Sequence, residues 1–289
     1  MANNKLLVNE RQRDLGNFIV GRLLPFKEKR QVGPFTFIDH MGPATIGPEG
    51  YVDVDQHPHI GLSTLTYLFD GAIMHRDSIG SVQEIKAGDV GFMTSGKGIT
   101  HTERTPEEMR QGKSHRLHGY QIWVALPKAQ EDMPPRFDFY PAAEVPSWEN
   151  ADCHFRLVAG SAFGKTAPLK GYSPLFMVDI KAKAKTRLDL KDQLEGEVAF
   201  VVVNGSIAID GQLVGQGQMC ISKTDAACHI NFENDTHILL FGGKPLAHEP
   251  LLSWNFVSSD RQKLKQAKQD WQDHKFPKVP GDDTYIPFP

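Results

Sequence analysis

The sequence predicts an all-β protein made of two similar antiparallel halves, with one short helix near its C-terminus. Three observations carry this. Short runs rich in Thr, Val, Leu and aromatic residues recur along the chain and stop at glycine turns. A hairpin idiom of the first half returns in the second. One segment alone spaces its apolar residues as a helix does.

The elements follow in order. Met1-Ala2-Asn3-Asn4-Lys5 lacks the apolar run that precedes a cleavage site, so it does not read as a secretory signal. Leu62 to Phe69 (LSTLTYLF) reads as a strand ending at the turn pair Asp70-Gly71. Gly88-Asp89 marks a turn, and the chain to Met93 a strand. Tyr120 to Leu126 (YQIWVAL) is a further strand, stopped by Pro127. Residues 133–146 hold Pro134, Pro135, Pro141 and Pro146 and read as a linker or strap. The expected boundary therefore follows residue 132, giving an N-terminal domain of 1–132 and a C-terminal domain of 133–289.

In the second half Val198 to Val203 reads as a strand, Asn204-Gly205 as a hairpin turn and Ser206 to Ile209 as the returning strand. After Gly215-Gln216-Gly217 comes a strand over Met219 to Ile221. Gly71 thus matches Gly205, and Gly88 matches Gly217 with a slightly shorter hairpin, as two copies of one β unit would. Ser259-Asp260-Arg261-Gln262 has the form of a capping box. The apolar stripe of Leu264, Ala267 and Trp271 predicts a helix to about His274, stopped by Pro277. The tail Tyr285-Ile286-Pro287-Phe288-Pro289 is apolar enough to dock.

Composition narrows the function. The chain has 289 residues, 40% of them hydrophobic, with 17 Phe, which is ample for a core and excludes disorder. Its 32 Lys and Arg against 35 Asp and Glu give a net charge of −3 without a basic run, arguing against direct nucleic-acid binding. No apolar stretch approaches the ~18 residues of a membrane span. Cys153, Cys220 and Cys228 form no CxxC pair and read as small buried residues in a reducing compartment. A soluble cytoplasmic protein is expected, with nuclear entry open in a eukaryote.

Seven of the 12 histidines fall in the first half. Two segments stand out, His57-Pro58-His59 and His101-Thr102-Glu103. On strands, residues at i and i+2 share a face, so each pair can point into one space. Three imidazoles and a carboxylate suit one divalent transition ion and leave coordination positions open. A closed cysteine-rich zinc site is excluded, because no thiol lies near. His75, Arg76 and Asp77 read as a hydrogen-bond cluster supporting the hairpin after Gly71. His118 could edge the pocket, and Asp39-His40 reads as capping a Gly/Pro-rich loop.

These segments make the chain recognisable. It resembles the pirin family of the cupin superfamily in Val32-Gly33-Pro34-Phe35, Asp39-His40, His57-Pro58-His59-Ile60-Gly61-Leu62, His75-Arg76-Asp77-Ser78 and Gly88-Asp89-Val90. The run from Met93 through Gly96-Lys97-Gly98 to His101-Thr102-Glu103, the stretch Leu117-His118-Gly119-Tyr120, and Leu239 to Leu246 extend the likeness over nearly the whole chain. The resemblance implies a bicupin, two face-to-face jelly-roll β-barrels of antiparallel strands, with one metal in the N-terminal barrel. It implies His57, His59, His101 and Glu103 as ligands, Glu103 being also the candidate general base. Ser63 stands where many pirins carry Glu, so it and His118 are the residues expected behind the ligands or at the pocket edge. The strand corresponding to HxH is read at Glu195-Gly196-Glu197-Val198, so the second barrel is expected to be metal-free.

The functional expectation is a quercetin 2,3-dioxygenase-like oxidoreductase acting on a small aromatic flavonol, with Fe(II) first and Ni, Mn, Cu or Zn as other candidates. The alternative is a redox-sensitive regulator that binds a protein partner, a transcription factor or a metabolic enzyme, according to metal state. A third expectation is a stress-response protein with another substrate.

Overall fold

The computed structural model describes residues 5–15, 18–110, 112–150, 152–209, 211–222 and 229–289. Met1 to Asn4 and Cys228 lie outside them. Strands account for 54% of the chain and helix for 7%, so the all-β expectation holds.

The first strands are β1 (Lys5–Asn9), β2 (Arg11–Asp14), β3 (Ile19–Leu24), β4 (Phe35–Ile46), β5 (Asp53–His59), β6 (Leu62–Asp70) and β7 (Ala72–Asp77). There follow β8 (Val82–Lys86), β9 (Val90–Thr94), β10 (Ile99–Arg104), β11 (His115–Ala125), β12 (Arg136–Tyr140) and β13 (Ser147–Glu149). The chain goes on through β14 (Cys153–Ala162), β15 (Lys165–Thr166), β16 (Leu175–Ala182), β17 (Thr186–Asp189), β18 (Glu197–Asn204) and β19 (Ser206–Ile209). It ends with β20 (Gln212–Gly215), β21 (Gln218–Ser222), β22 (His229–Phe232), β23 (Thr236–Gly243), β24 (Leu251–Ser253), β25 (Phe256–Ser258) and helix α1 (Arg261–Gln272).

Packing groups these elements into two units interleaved along the chain. The first comprises residues 1–11, 21–37 and 143–246, the second 12–20, 38–142 and 247–289. Each unit is assembled from three separate segments of the chain.

In the first unit a large sheet runs β1-β21-β18-β23-β16-β14-β13, and a four-stranded sheet runs β17-β22-β19-β20. Phe155, Phe176, Phe200, Val202, Ile209, Ile230, Phe232 and Leu240 are buried in one apolar core. Each fully buried side chain of this size stabilises the fold by ~1.5–3 kcal/mol. Cys153 and Cys220 are buried there, and burial pushes the Cys153 thiol up to about 11.

The second unit has the same pairing logic. β5-β10-β7-β8 form a four-stranded sheet, and β12, β9, β6, β11 and β4 are neighbours in a larger one. β6 pairs with β9 as β18 pairs with β21, and β10 joins β5 to β7 as β22 joins β17 to β19. The repeat read from the glycine turns is therefore a repeat of structure. It also corrects one assignment: the counterpart of the HxH strand is β17, Thr186-Arg187-Leu188-Asp189, not residues 195–198. Counting from Gly71 and Gly205, Phe200 and Ile209 hold the places that Thr66 and His75 hold in the second unit. Apolar side chains fill one interior where polar ones line the other.

Two further readings need correction. Residues 136–140 are not linker but strand β12, paired antiparallel with β9. The prolines flank this strand rather than interrupt it, so no ladder donor is lost. Asp39 and His40 lie within strand β4 and are buried, not in a capped loop.

Helix α1 begins one residue later than the capping box suggests. Asp260 is the N-cap, its carboxylate accepting from the Gln262 amide at 2.7 Å. The helix ends at Gln272 rather than near His274. Its stripe of Leu264, Ala267 and Trp271 is buried against Ile60 and Phe256. The tail docks as expected: Tyr285 stacks on Trp271 at 4.5 Å, and the indole N–H donates to the Ile286 carbonyl at 2.9 Å. Gln56 of β5 holds the same tail, donating to the Asp282 and Thr284 carbonyls and accepting from the Val279 amide. Among the described residues no helix is long and apolar enough to cross a membrane.

One glycine sets the approach of β25 to the end of β5. Gly61 has φ +67, and a Cβ there would lie 1.9 Å from the Val257 carbonyl oxygen. Only glycine permits this contact without strain. The Val257 amide then bonds the Ile60 carbonyl at 3.1 Å, which fixes the β24–β25 hairpin beside His59.

Candidate metal centre

β5 and β10 run antiparallel with His57 opposite His101 and Ile99 opposite His59. Alternation then turns His57, His59 and His101 to one face, inside the second unit. All three are buried, and one nitrogen of each lies within 4.8 Å of the others. The His59 and His101 Nε2 atoms are 3.1 Å apart.

The donor set fits a transition ion. His57 Nδ1 lies 2.8 Å from the Asp55 carbonyl oxygen, and His59 Nδ1 lies 3.0 Å from that of Asn255. A carbonyl only accepts, so both rings carry their proton on Nδ1 and turn a bare Nε2 inward, as ligation requires. Burial keeps the imidazoles neutral. It lowers His57 to about 4 and, with the neighbouring imidazoles, holds His59 and His101 well below the usual range.

Glu103 follows on the same strand, beyond a bulge in the β10–β5 register. Its carboxylate is not within the 4.8 Å group of three but lies among polar partners of the larger sheet. The Thr66 hydroxyl is 3.4 Å from Glu103 Oε1 and 2.8 Å from Gln121 Oε1. Desolvation, only partly offset by Thr66 and Gln121, raises the Glu103 carboxyl to about 7 in the metal-free chain.

His75 does more than the turn-supporting role read from the sequence. Asp77 does support the turn, its Oδ1 accepting from the Ile79 and Ser81 amides at 3.1 and 2.9 Å. His75, however, points inward, with Nε2 3.1 Å from Asp77 Oδ2 and Nδ1 3.4 Å from His101 Nδ1. Burial alone would raise the Asp77 carboxyl, yet hydrogen bonds from His75 and Ser81 outweigh it and hold the group below its usual value. The signal was present, because His75-Arg76-Asp77 repeats the i, i+2 spacing of the other two pairs. Trp123 beside His59 and Phe137 stacked on His75 at 4.2 Å give the site aromatic walls.

The two remaining candidates take other partners. Ser63 is fully buried with its hydroxyl 3.1 Å from that of Thr94. His118 meets His40, Nε2 to Nε2, at 3.0 Å, where His40 stacks on Tyr120.

A pH dependence follows for the metal-free protein. Each depressed imidazole takes up a proton at about 6.5 in the unfolded chain but resists it when folded, so the unfolded state binds more protons as pH falls. Glu103 opposes this between 4.5 and about 7, where the fold keeps a proton that the unfolded chain has released. With three groups against one, the melting temperature of chelator-treated protein is expected to fall from pH 6.5 toward 4.5. A flat profile over that range would contradict the burial of neutral imidazoles.

Comparison with known proteins gives a consistent result. The family model Pirin matches residues 17–124, and the model for the pirin C-terminal cupin domain matches residues 177–277. A pirin-like protein of Caulobacter vibrioides is 42% identical over 98% of this chain and 99% of its own. The crystal structure of a quercetin 2,3-dioxygenase from Acinetobacter baumannii superposes with a TM-score of 0.91 at 32% identity, covering 99% of this chain and 95% of that one. A bacterial pirin from Escherichia coli, solved in complex with nickel(II), shares the fold at a TM-score of 0.65 and 21% identity, over 84% of this chain and 100% of its own.

Proposed function

The chain belongs to the pirin family, and from that premise we propose that it is a metal-dependent dioxygenase that opens a flavonol such as quercetin with O2. The observation that carries the reading is the ring of three buried, neutral imidazoles with Nε2 turned inward. The likeness to a quercetin 2,3-dioxygenase over nearly the whole chain supports it.

His57, His59 and His101 would hold the ion, and Glu103, whose carboxylate lies beside Thr66 outside that group, would join as fourth ligand when the ion binds. Fe(II) is the first choice, and Ni, Mn, Cu and Zn suit the same donors. A divalent ion bound there supplies Lewis acidity toward the enol oxygen of the substrate and the chemistry that O2 requires. Glu103 is the carboxylate that follows His101 on the ligand face of β10, and it takes the enol proton as general base. Thr66 and Gln121 orient that carboxylate. Trp123 and Phe137 keep the surroundings apolar, which excludes water and strengthens the electrostatics of the site. The buried thiols Cys153 and Cys220 support work in a reducing cytoplasm.

The test is O2 uptake with quercetin by protein reconstituted in turn with each of these metals. Uptake coupled to loss of the flavonol is expected with at least one. No turnover with any of them would overturn the proposal. Comparison of captured protein partners before and after oxidation would then test the regulatory alternative.

A further inference from the structure

We infer that His75 and Asp77 form a positioning relay that sets the tautomer of His101 and thereby its fitness as a ligand. The inference rests on the reading of the three histidines as metal ligands and not on which substrate is used. Each imidazole must present a bare Nε2, so each must keep its proton on Nδ1. For His57 and His59 a backbone carbonyl holds that proton, and a carbonyl oxygen can only accept. At His101 the corresponding partner is a side chain, since Nδ1 faces the Nδ1 of His75. An imidazole nitrogen can donate or accept, so the state of His101 depends on that of His75.

Asp77 decides it. An ionised carboxylate accepts only, so Oδ2 places the His75 proton on Nε2, 3.1 Å away. His75 Nδ1 is then bare and accepts from the Nδ1–H of His101 at 3.4 Å. The order of donors and acceptors runs consistently from carboxylate to ligand. The other Asp77 oxygen is fixed by the Ile79 and Ser81 amides, so the carboxylate cannot turn away. Phe137 stacks on the His75 ring at an interplanar angle of 14° and locks its plane. The β10–β7 register holds the parts together, with His101 opposite Asp77 and Glu103 opposite His75. His75, Asp77 and His101 are all 2% exposed or less, so bulk water does not compete for these bonds.

The isosteric change Asp77→Asn tests the relay. The amide oxygen must still accept from Ile79 and Ser81, so the amide NH2 faces His75 and donates to its Nε2. The His75 proton moves to Nδ1, and that of His101 is forced onto Nε2, into the metal space. The Ni(II) affinity of the full chain is expected to fall roughly 10–100-fold, the range for lost partners of metal ligands. Melting of the metal-free protein should change little. In the metal-free protein the bare His59 Nε2, 3.1 Å from His101 Nε2, competes for the His101 proton, so long-range 15N–1H spectra should show a larger share of His101 protonated on Nδ1 in the natural chain than in Asp77→Asn. His75→Gln, which can accept from His101 and donate to Asp77, should keep Ni(II) affinity within a few-fold, while His75→Leu loses it. Unchanged Ni(II) affinity and tautomer in Asp77→Asn would overturn the relay, as would a His75→Gln variant as weak as His75→Leu. A chain that shows the expected Ni(II) and tautomer effects but turns over no flavonol would overturn the proposed activity and leave the relay standing.

Discussion

His59→Ala is expected to remove metal binding and, with it, all O2 uptake on quercetin. The substitution deletes one of three nitrogens that lie within 4.8 Å of one another, and the Asn255 carbonyl, on the Nδ1 side of the lost ring, offers no substitute. Losing a partner behind a ligand costs 10–100-fold in metal affinity, so losing the ligand itself should cost at least about 100-fold. His59 is 1% exposed, and the variant leaves a small cavity beside Trp123. Melting of the metal-free variant, compared with metal-free natural protein, separates that packing loss from loss of the metal. Metal content near the natural level after dialysis would contradict the assignment of His59.

The second large effect is expected at Glu103→Gln. The amide keeps the size of the side chain and the bonds to Thr66 and Gln121 but accepts no proton as a base. Three imidazoles remain, so metal affinity should fall less than in His59→Ala. Turnover should fall about 10²- to 10³-fold, within the range for a lost general base. Natural turnover with natural metal content would place the base elsewhere.

Much of this site is legible in the sequence because β-strands convert spacing into facing. Each i, i+2 pair on a strand points to one side, and the β5–β10 register turns His57, His59 and His101 to the same one. The repeat was legible for the same reason: glycines that must adopt positive φ mark equivalent turns, as at Gly71 (+84) and Gly205 (+76). What the sequence hid depends on long-range register or on backbone atoms. That His75 meets His101 follows from the pairing of β7 with β10. The carbonyl of Asn255 has no side-chain signature and comes from 196 residues away. Strand β12 was hidden by the prolines on either side of it, and each unit is assembled from three separate segments of the chain.

The most direct test of the account is metal analysis of protein purified without added metal, followed by O2 uptake on quercetin as that metal is removed and restored. One divalent transition ion per chain is predicted, with uptake that rises and falls in proportion to its content. A chain that holds no such ion, or that consumes O2 with quercetin independently of it, would contradict the account.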